Sequence, residues 1–389
     1  MIENNWIPYS FLVILLLLIG CTRSARTEYD NPSTVIQKVD ISFDVDTCTV
    51  ELDGNYLFNY KKFSTDGAIY AGYNNHVHSI DFFDINEKRV LSQLILSKEG
   101  PESVQRVEGI YYHNMDSIFL LDENSLSIFN SIGKLKRRIK INFASDNTAF
   151  FSSNNFTAGN ETNNLMFDKI HGCVYSQNLD FQTSQCSSKH FDRSVLGKIN
   201  LKDSTVELLP IYYSKLYHEN FYGFYDTPKF SMINETQIVY NFPIESSVYV
   251  YDLKEGHSMS FGGESKFTSS VVSSLPWKSC KDVDAKMQHF VENVRFEKVI
   301  YDPFRDLFYR FHYGDAKGRN ADGTFMNPNQ KSQLLTVFSK SYSVLLEMEI
   351  NDRRYIIPNS FVGPEGLYLC APKGENTLRF KVFRFKVDE

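Results

Sequence analysis

The chain has 389 residues, and 47 acidic against 41 basic side chains leave a formal charge of −6. That balance, with no long Lys/Arg run, excludes a nucleic-acid binder, whose phosphate contacts need clustered positive charge. At 42 % apolar and 23 % charged residues the chain is neither disordered nor collagen-like. Its 32 Phe and 23 Tyr against 2 Trp favour half-buried strands, where flat rings pack well on a pleated surface.

Residues 11–19, FLVILLLLI, form an unbroken apolar run. It is too short to cross a hydrocarbon core of about 30 Å as a helix and has the length of a signal-peptide h-region. Leu18-Ile19-Gly20-Cys21 completes it and resembles the lipobox of bacterial lipoproteins. The resemblance implies that residues 1–20 are a cleaved signal peptide, that the Cys21 thiol receives a diacylglyceryl group, and that the new amino group is acylated, with palmitate as the expected chain. The segment before the run departs from the pattern, holding Glu3 and no Lys or Arg where a basic residue is preferred. Acyl chains on Cys21 would make a membrane the first partner. Residues 21–38 are polar and aperiodic, as a flexible tether would be. Arg23 and Arg26, with no acidic cluster behind the cysteine, point to the periplasmic face of an outer membrane rather than the cell surface.

From residue 39 to 389 short alternating runs are separated by turn residues, the pattern of antiparallel strands. Residues 78–96 predict a strand, a turn at Asn86-Glu87-Lys88 and a second strand. Residues 117–142 repeat the idea with a turn at Ser131-Ile132-Gly133, and further runs lie at 197–210, 247–261, 333–350 and 378–387. About one unit per 60 residues is longer than the WD40 period. Six units would use nearly all of the chain after the tether. The fold class is therefore all-β, a single β-propeller of six blades, because small sheets with two apolar faces bury them by stacking radially. The run 41–52 would supply a strand to the last blade and seal the ring. A β-sandwich is the alternative.

Leu96-Ser97-Lys98-Glu99-Gly100-Pro101-Glu102, the strands SIFLLD and SLSIFN with the Gly133-Lys134 turn, and the strand–turn–strand of 299–310 carry a wider resemblance. In them the chain resembles six-bladed β-propeller lipoproteins of Gram-negative bacteria, relatives of the NHL and TolB-type propellers without an assigned function. It departs from that family where the fuller Gly-x-Gly-Pro-Gly turn is reduced to Glu99-Gly100-Pro101-Glu102. The resemblance implies the fold and no activity, since propellers host enzymes, binding modules and scaffolds alike.

Few residues point to chemistry. His76 and His78 would share one face of a strand, but a metal needs further donors, and no HExxH, CxxC or DxDxDG pattern occurs. Asp315, Asn320 and Asp322 offer oxygens in a Gly-broken loop whose spacing is not that of an EF-hand; a plain hairpin loop is the simpler reading. The segment 211–225, with Tyr212, Tyr213, Tyr217, Phe221, Tyr222, Phe224 and Tyr225, would stack on a sugar or peptide if exposed and pack between blades if buried. Val283, Met287, Phe290, Val291 and Val294 predict a short helix within 281–294 crossing one face of the ring. There is no Gly-x-Ser-x-Gly elbow, P-loop or other cofactor motif, so no catalytic residue, metal or cofactor is assigned. Beyond Cys21 five cysteines remain, an odd number. Cys173 and Cys186 flank a stretch that would bridge if it folded back as a hairpin, and Cys48 would meet Cys370 if the first strand lay beside it. Three functions fit: a lipid-anchored propeller that binds a protein or glycan, an envelope enzyme acting on polysaccharide or peptidoglycan fragments at the channel mouth, and a ligand sensor. The first is favoured for want of catalytic motifs.

Overall fold

The computed structural model describes residues 41–51, 60–122, 125–141, 165–178, 183–350, 355–371 and 377–387. The expected signal peptide, Cys21 and the expected tether lie outside the described residues. Strand β1 (Ile41–Glu51) is followed by six four-stranded units. Blade 1 holds β2 (Tyr60–Thr65), β3 (Ile69–Asn74), β4 (Ser79–Asp84) and β5 (Arg89–Ile95); blade 2 holds β6 (Gly109–Asn114), β7 (Ser117–Leu121), β8 (Ser125–Phe129) and β9 (Leu135–Lys140). Blade 3 holds β10 (Met166–Asp168), β11 (Cys173–Gln177), β12 (Leu196–Asn200) and β13 (Val206–Leu208); blade 4 holds β14 (Lys229–Asn234), β15 (Gln237–Asn241), β16 (Val248–Asp252) and β17 (His257–Phe261). Blade 5 holds β18 (Arg295–Asp302), β19 (Leu307–Tyr313), β20 (Gln333–Phe338) and β21 (Val344–Ile350). Blade 6 combines β22 (Ile356–Gly363), β23 (Gly366–Cys370) and β24 (Thr377–Val387) with β1 in the order β1-β24-β23-β22. The protein is a six-bladed β-propeller, as its sequence predicts.

Each blade is an antiparallel meander whose first strand lies nearest the axis, where β2 meets β6, β14 meets β18 and β18 meets β22. Middle strands are buried throughout, as in β19 and β20, because a neighbouring blade covers either face. Last strands such as β5 are largely exposed, with Leu94 alone buried in it. The seam between blades 6 and 1 is filled by rings. Phe361 stacks on Tyr368 at 4.8 Å, and Tyr70 of blade 1 lies 5.8 Å from both Phe361 and Phe380. The seam is tight: a Cβ on Gly363 would stand 2.8 Å from the Gly67 carbonyl and 2.9 Å from the Tyr368 ring. On the outside, β1 runs antiparallel along β24 from Ile41↔Val387 to Glu51↔Thr377, and Arg384 is held by Asp44, Asp46 and Glu365.

One turn recurs around the ring. An Asp or Asn at the end of a strand accepts backbone N–H groups two or three residues on, and the residue four positions on has positive φ. It is seen at Asn74/His78, Asp84/Lys88, Asp168/Gly172, Asn200/Ser204, Asp252/Gly256 and Asp302/Asp306. The side chain closes the turn and the left-handed residue gives the hairpin its twist.

Between blades 4 and 5 a charge is buried. Arg310 on β19 is fully enclosed, donates to the carbonyls of Ser246 and Gly263 (2.6 Å for the latter), and lies over the rings of Phe296 and Phe338. His312 beside it is 1 % exposed, and burial, helped by the Arg310 charge, holds its imidazole well below the usual histidine range. Burial likewise lowers His289 and His78.

Replacing Arg310 by Met strips two charge-assisted bonds and leaves two carbonyls without donors; R310M is expected to lose about 3 kcal/mol of stability in denaturant titration. A second outcome concerns pH. Histidines in the unfolded chain take up protons near pH 6.5, whereas the folded chain resists doing so at His78, His289 and His312. The unfolded state therefore binds more protons, and stability present above that pH is lost as pH falls toward 5, by up to about 1.4 kcal/mol per pH unit per histidine. Thermal melts between pH 7 and 5 would show the decline, and a flat profile would contradict it.

Candidate functional site

Because every blade is an up-and-down meander, the turns joining first to second strands all lie at one end of the ring. The connections joining second to third strands, and one blade to the next, lie at the other. Each end is built differently.

At the first end a cavity of about 670 Å³ follows the axis, lined from all six innermost strands and their turns. Asp66, Lys169, Asn234 and Phe304 are exposed at its rim. Deeper, Tyr111, Phe167, Ile300, Tyr301 and Phe361 form apolar walls, and Lys229, Lys298 and Ser360 supply polar groups. β14 and β18 are side by side here, with the Ser231 hydroxyl donating to the Val299 carbonyl at 2.5 Å. That places Lys229 and Lys298 on neighbouring strands facing the same space. Burial and the Lys229 charge push the Lys298 ammonium down to about 8. Glu297, also on the lining, is 2.7 Å from Arg295, whose guanidinium lies between the rings of Phe290 and Tyr313. The lining has no histidine or cysteine among the described residues, and its carboxylates sit apart on blades 1, 4 and 5.

At the other end long connections from blades 3, 4 and 5 form a cap. The Tyr-rich segment belongs to it. Tyr213, Tyr217, Phe221, Tyr222 and Tyr225 are buried, and only Tyr212 is substantially exposed, so the rings pack rather than present a sugar platform. The segment forms helix α1 (Lys215–Glu219); Phe191 stacks on Tyr217 at 5.1 Å, and the Tyr217 hydroxyl donates to the Tyr225 carbonyl. The predicted helix is present as α2 (Val283–Glu292), capped by Asp282 accepting from the Ala285 N–H. Its last carbonyls receive Tyr225 Oη and the buried Lys331 Nζ, a cation at a helix C-terminus where the dipole favours it. Burial first, and the Arg295 charge next, lower Lys331 to about 7.

The cysteine expectations need correction. Cys186 is bonded to Cys280 with a Cα–Cα distance of 5.4 Å, not to Cys173, which is a buried free thiol. Cys173 begins β11 at the cavity end, whereas Cys186 lies beyond the far end of that strand, roughly 13 Å along it. The bond instead ties the blade 3 connection to the turn before α2. Cys370 is also free. Cys48 and Cys370 both face Phe380 in the register, with β24 between them, so they are two strand spacings apart, roughly 9.5 Å, beyond disulfide reach.

His76 and His78 do not share a strand face but lie in the β3–β4 turn. His76 is exposed; His78 is buried, with Nδ1 2.9 Å from Tyr73 Oη and Nε2 2.8 Å from the Val104 carbonyl. Asp322 accepts from the N–H and hydroxyl of Thr324, and Asn320 donates to the same hydroxyl, which makes their loop a self-contained hairpin. No cluster of three metal-ligating side chains occurs among the described residues.

Peptide mapping without reduction should recover Cys186 linked to Cys280. C186S or C280S should cost about 2–5 kcal/mol, since the bond closes a 94-residue separation. Cys173 and Cys370, which burial keeps as neutral thiols, should resist alkylation until the chain unfolds; labelling of Cys173 in the native protein would contradict the packing.

Known proteins can be set beside this geometry. A crystal structure of a DUF4221 family member from Bacteroides vulgatus superposes with TM-score 0.74 at 20 % identity, covering 90 % of this chain and 100 % of that one. A protein from Bacteroides fragilis described as exported superposes at 0.56 with 7 % identity over 89 % of this chain and 96 % of its own. At those identities the likeness is one of fold. No curated protein matches the chain. The family model for a domain of unknown function, DUF4221, matches residues 34–349, from before β1 to the end of blade 5. The chain belongs to the DUF4221 family.

Proposed function

We propose that this protein is a non-catalytic binding module, held at the periplasmic face of a bacterial outer membrane by lipid on Cys21, that receives the end of a partner protein or glycan in its axial cavity. The cavity carries the reading. It has the size of an ordinary ligand site, is walled by rings, and has charged groups at its rim. Export is supported by Leu18-Ile19-Gly20-Cys21 and by the Cys186–Cys280 bond, since disulfides persist in oxidising compartments. The Bacteroides fragilis relative of the same fold, described as exported, agrees. A tether of residues 21–38 would leave the ring free to turn its open end toward a partner.

Two measurements test the two halves. The full chain is expected in the detergent phase on Triton X-114 partitioning and C21S in the aqueous phase; equal partitioning overturns the anchor. Among short peptides and oligosaccharides at 100 times Kd, at least one is expected to stabilise the protein by about 2.7 kcal/mol. S360W, which fills the cavity, should abolish the shift. A panel without any shift, or a shift that survives S360W, overturns the cavity as the binding site.

A further inference from the structure

We propose that Gly263–Lys266, in the connection that leaves blade 4 after β17, is a strap latched onto blade 5 by Arg310 and Glu347, and that a proton taken up by His312 beside them releases it. The proposal is independent of what the axial cavity binds.

The latch has two charged ends. On blade 5, Arg310 stands opposite Thr336, and Thr336 opposite Glu347, so the three share one face of the sheet, and His312, two residues from Arg310, shares it too. The Arg310 guanidinium donates to the Gly263 carbonyl at 2.6 Å and to the Ser246 carbonyl. Glu347 Oε2 accepts the Lys266 N–H at 2.8 Å. The fit at the first end is close: a Cβ on Gly263 would stand 2.6 Å from the Ser246 carbonyl and 2.7 Å from an Arg310 nitrogen. Farther along, the Ser246 N–H donates to Ser270 and the Val272 N–H to Ile244 through backbone groups alone, and these bonds do not titrate.

His312 is buried with its ring 5.3 Å from that of Phe296, and neither ring nitrogen has a hydrogen-bond partner among the described residues. A buried imidazole so placed is uncommon, and it adds no bond to the closed latch. Its Nε2 is 3.6 Å from Glu347 Oε1, beyond a hydrogen bond, and Glu347 already answers the Arg310 charge. Of the other charged side chains around it, Glu264, Lys266 and Glu349 are exposed, and Glu245, next to Ser246, faces Ser214 and Tyr249 instead. A protonated His312 therefore sets two buried cations against one carboxylate. With the strap released and water admitted, the same imidazole protonates near its ordinary pH of about 6.5. Burial and the Arg310 charge disfavour the imidazolium only while the latch is closed, so acid shifts the balance toward release.

Hydrogen exchange on the full chain in detergent reads the release directly, by mass spectrometry of peptides within 262–268 and with intrinsic rates corrected for pH. Protection of the strap is expected to be lower than that of β19 and β20 at pH 7, and to fall a further ~25-fold by pH 5, the effect of one proton on a group of ordinary histidine pKa. H312Q and H312F, one polar and one apolar, cannot take up that proton and should hold the protection of the strap constant over the same range. A flat profile in the unaltered protein overturns the proposal. So does a strap that exchanges only as fast as β19 and β20, because it then opens with the whole fold. A slope that survives in either variant that folds overturns the assignment to His312.

Discussion

A four-stranded sheet with apolar side chains on both faces has no stable place at the end of a row. Every blade here has that character, and the middle strands show it most plainly, with β19 and β20 buried at each position. Only a closed ring supplies a neighbour to each face. Closure is therefore the constraint on which the rest depends, and the chain meets it twice. Aromatic rings of Tyr70, Phe361 and Phe380 fill the interior of the seam, and β1 zips along β24 at its outer edge. The close approach of Gly67 and Gly363 marks how little room the seam leaves.

The ring is not symmetric. Blades 1, 2 and 6 are joined by shorter described connections, whereas blades 3, 4 and 5 carry the long insertions that build the cap. A cap of this kind needs its own core, and Phe191, Tyr217, Trp277 and Phe290 provide it. It also needs fastening, because loops pay conformational entropy without the hydrogen-bond ladder of a sheet. The Cys186–Cys280 bond, the Lys331 contact with the end of α2 and the enclosed guanidinium of Arg310 act as fasteners between segments far apart in sequence. With one end covered and Arg295–Glu297 lying beneath the cover, the described residues leave the axis approachable from the rim of Asp66, Lys169 and Phe304.

Much of this architecture was legible from local pattern. The runs at 78–96, 117–142, 197–210, 247–261 and 333–350 correspond to the later strands of blades 1 to 5. There an apolar strand buried on both faces is followed across a short turn by a more exposed outer one, so each unit stands out from its flanking turns. First strands were harder to see: β10 has three residues, and β14 mixes Lys229, Ser231 and Asn234 with its apolar positions, because it faces the axis as well as the next blade. The recurring Asp or Asn turn with a left-handed residue four positions on was present in the sequence as a signal and would have placed His78 in a turn. For the rings of 211–225 the pattern allows exposure or burial and the structure decides for burial, whereas the spacing of Val283 to Val294 by itself indicates the helix. The partner of Cys186 was not legible, since proximity along the chain favours Cys173 while the direction of β11 separates them.

By itself the sequence determined that strands form, roughly where most of them turn, that they make up one all-β body, and that a lipobox-like cysteine precedes it. Those properties depend on interactions across a few residues, and a period of two or a turn side chain is written directly in their order. Only the tertiary structure decided which cysteines bond, which tyrosines lie beneath the cap, and that Lys229, Lys298 and Ser360 share one cavity. Residues from different blades become neighbours at the axis only because the ring closes, and closure is a property of all six sheets that no local pattern records.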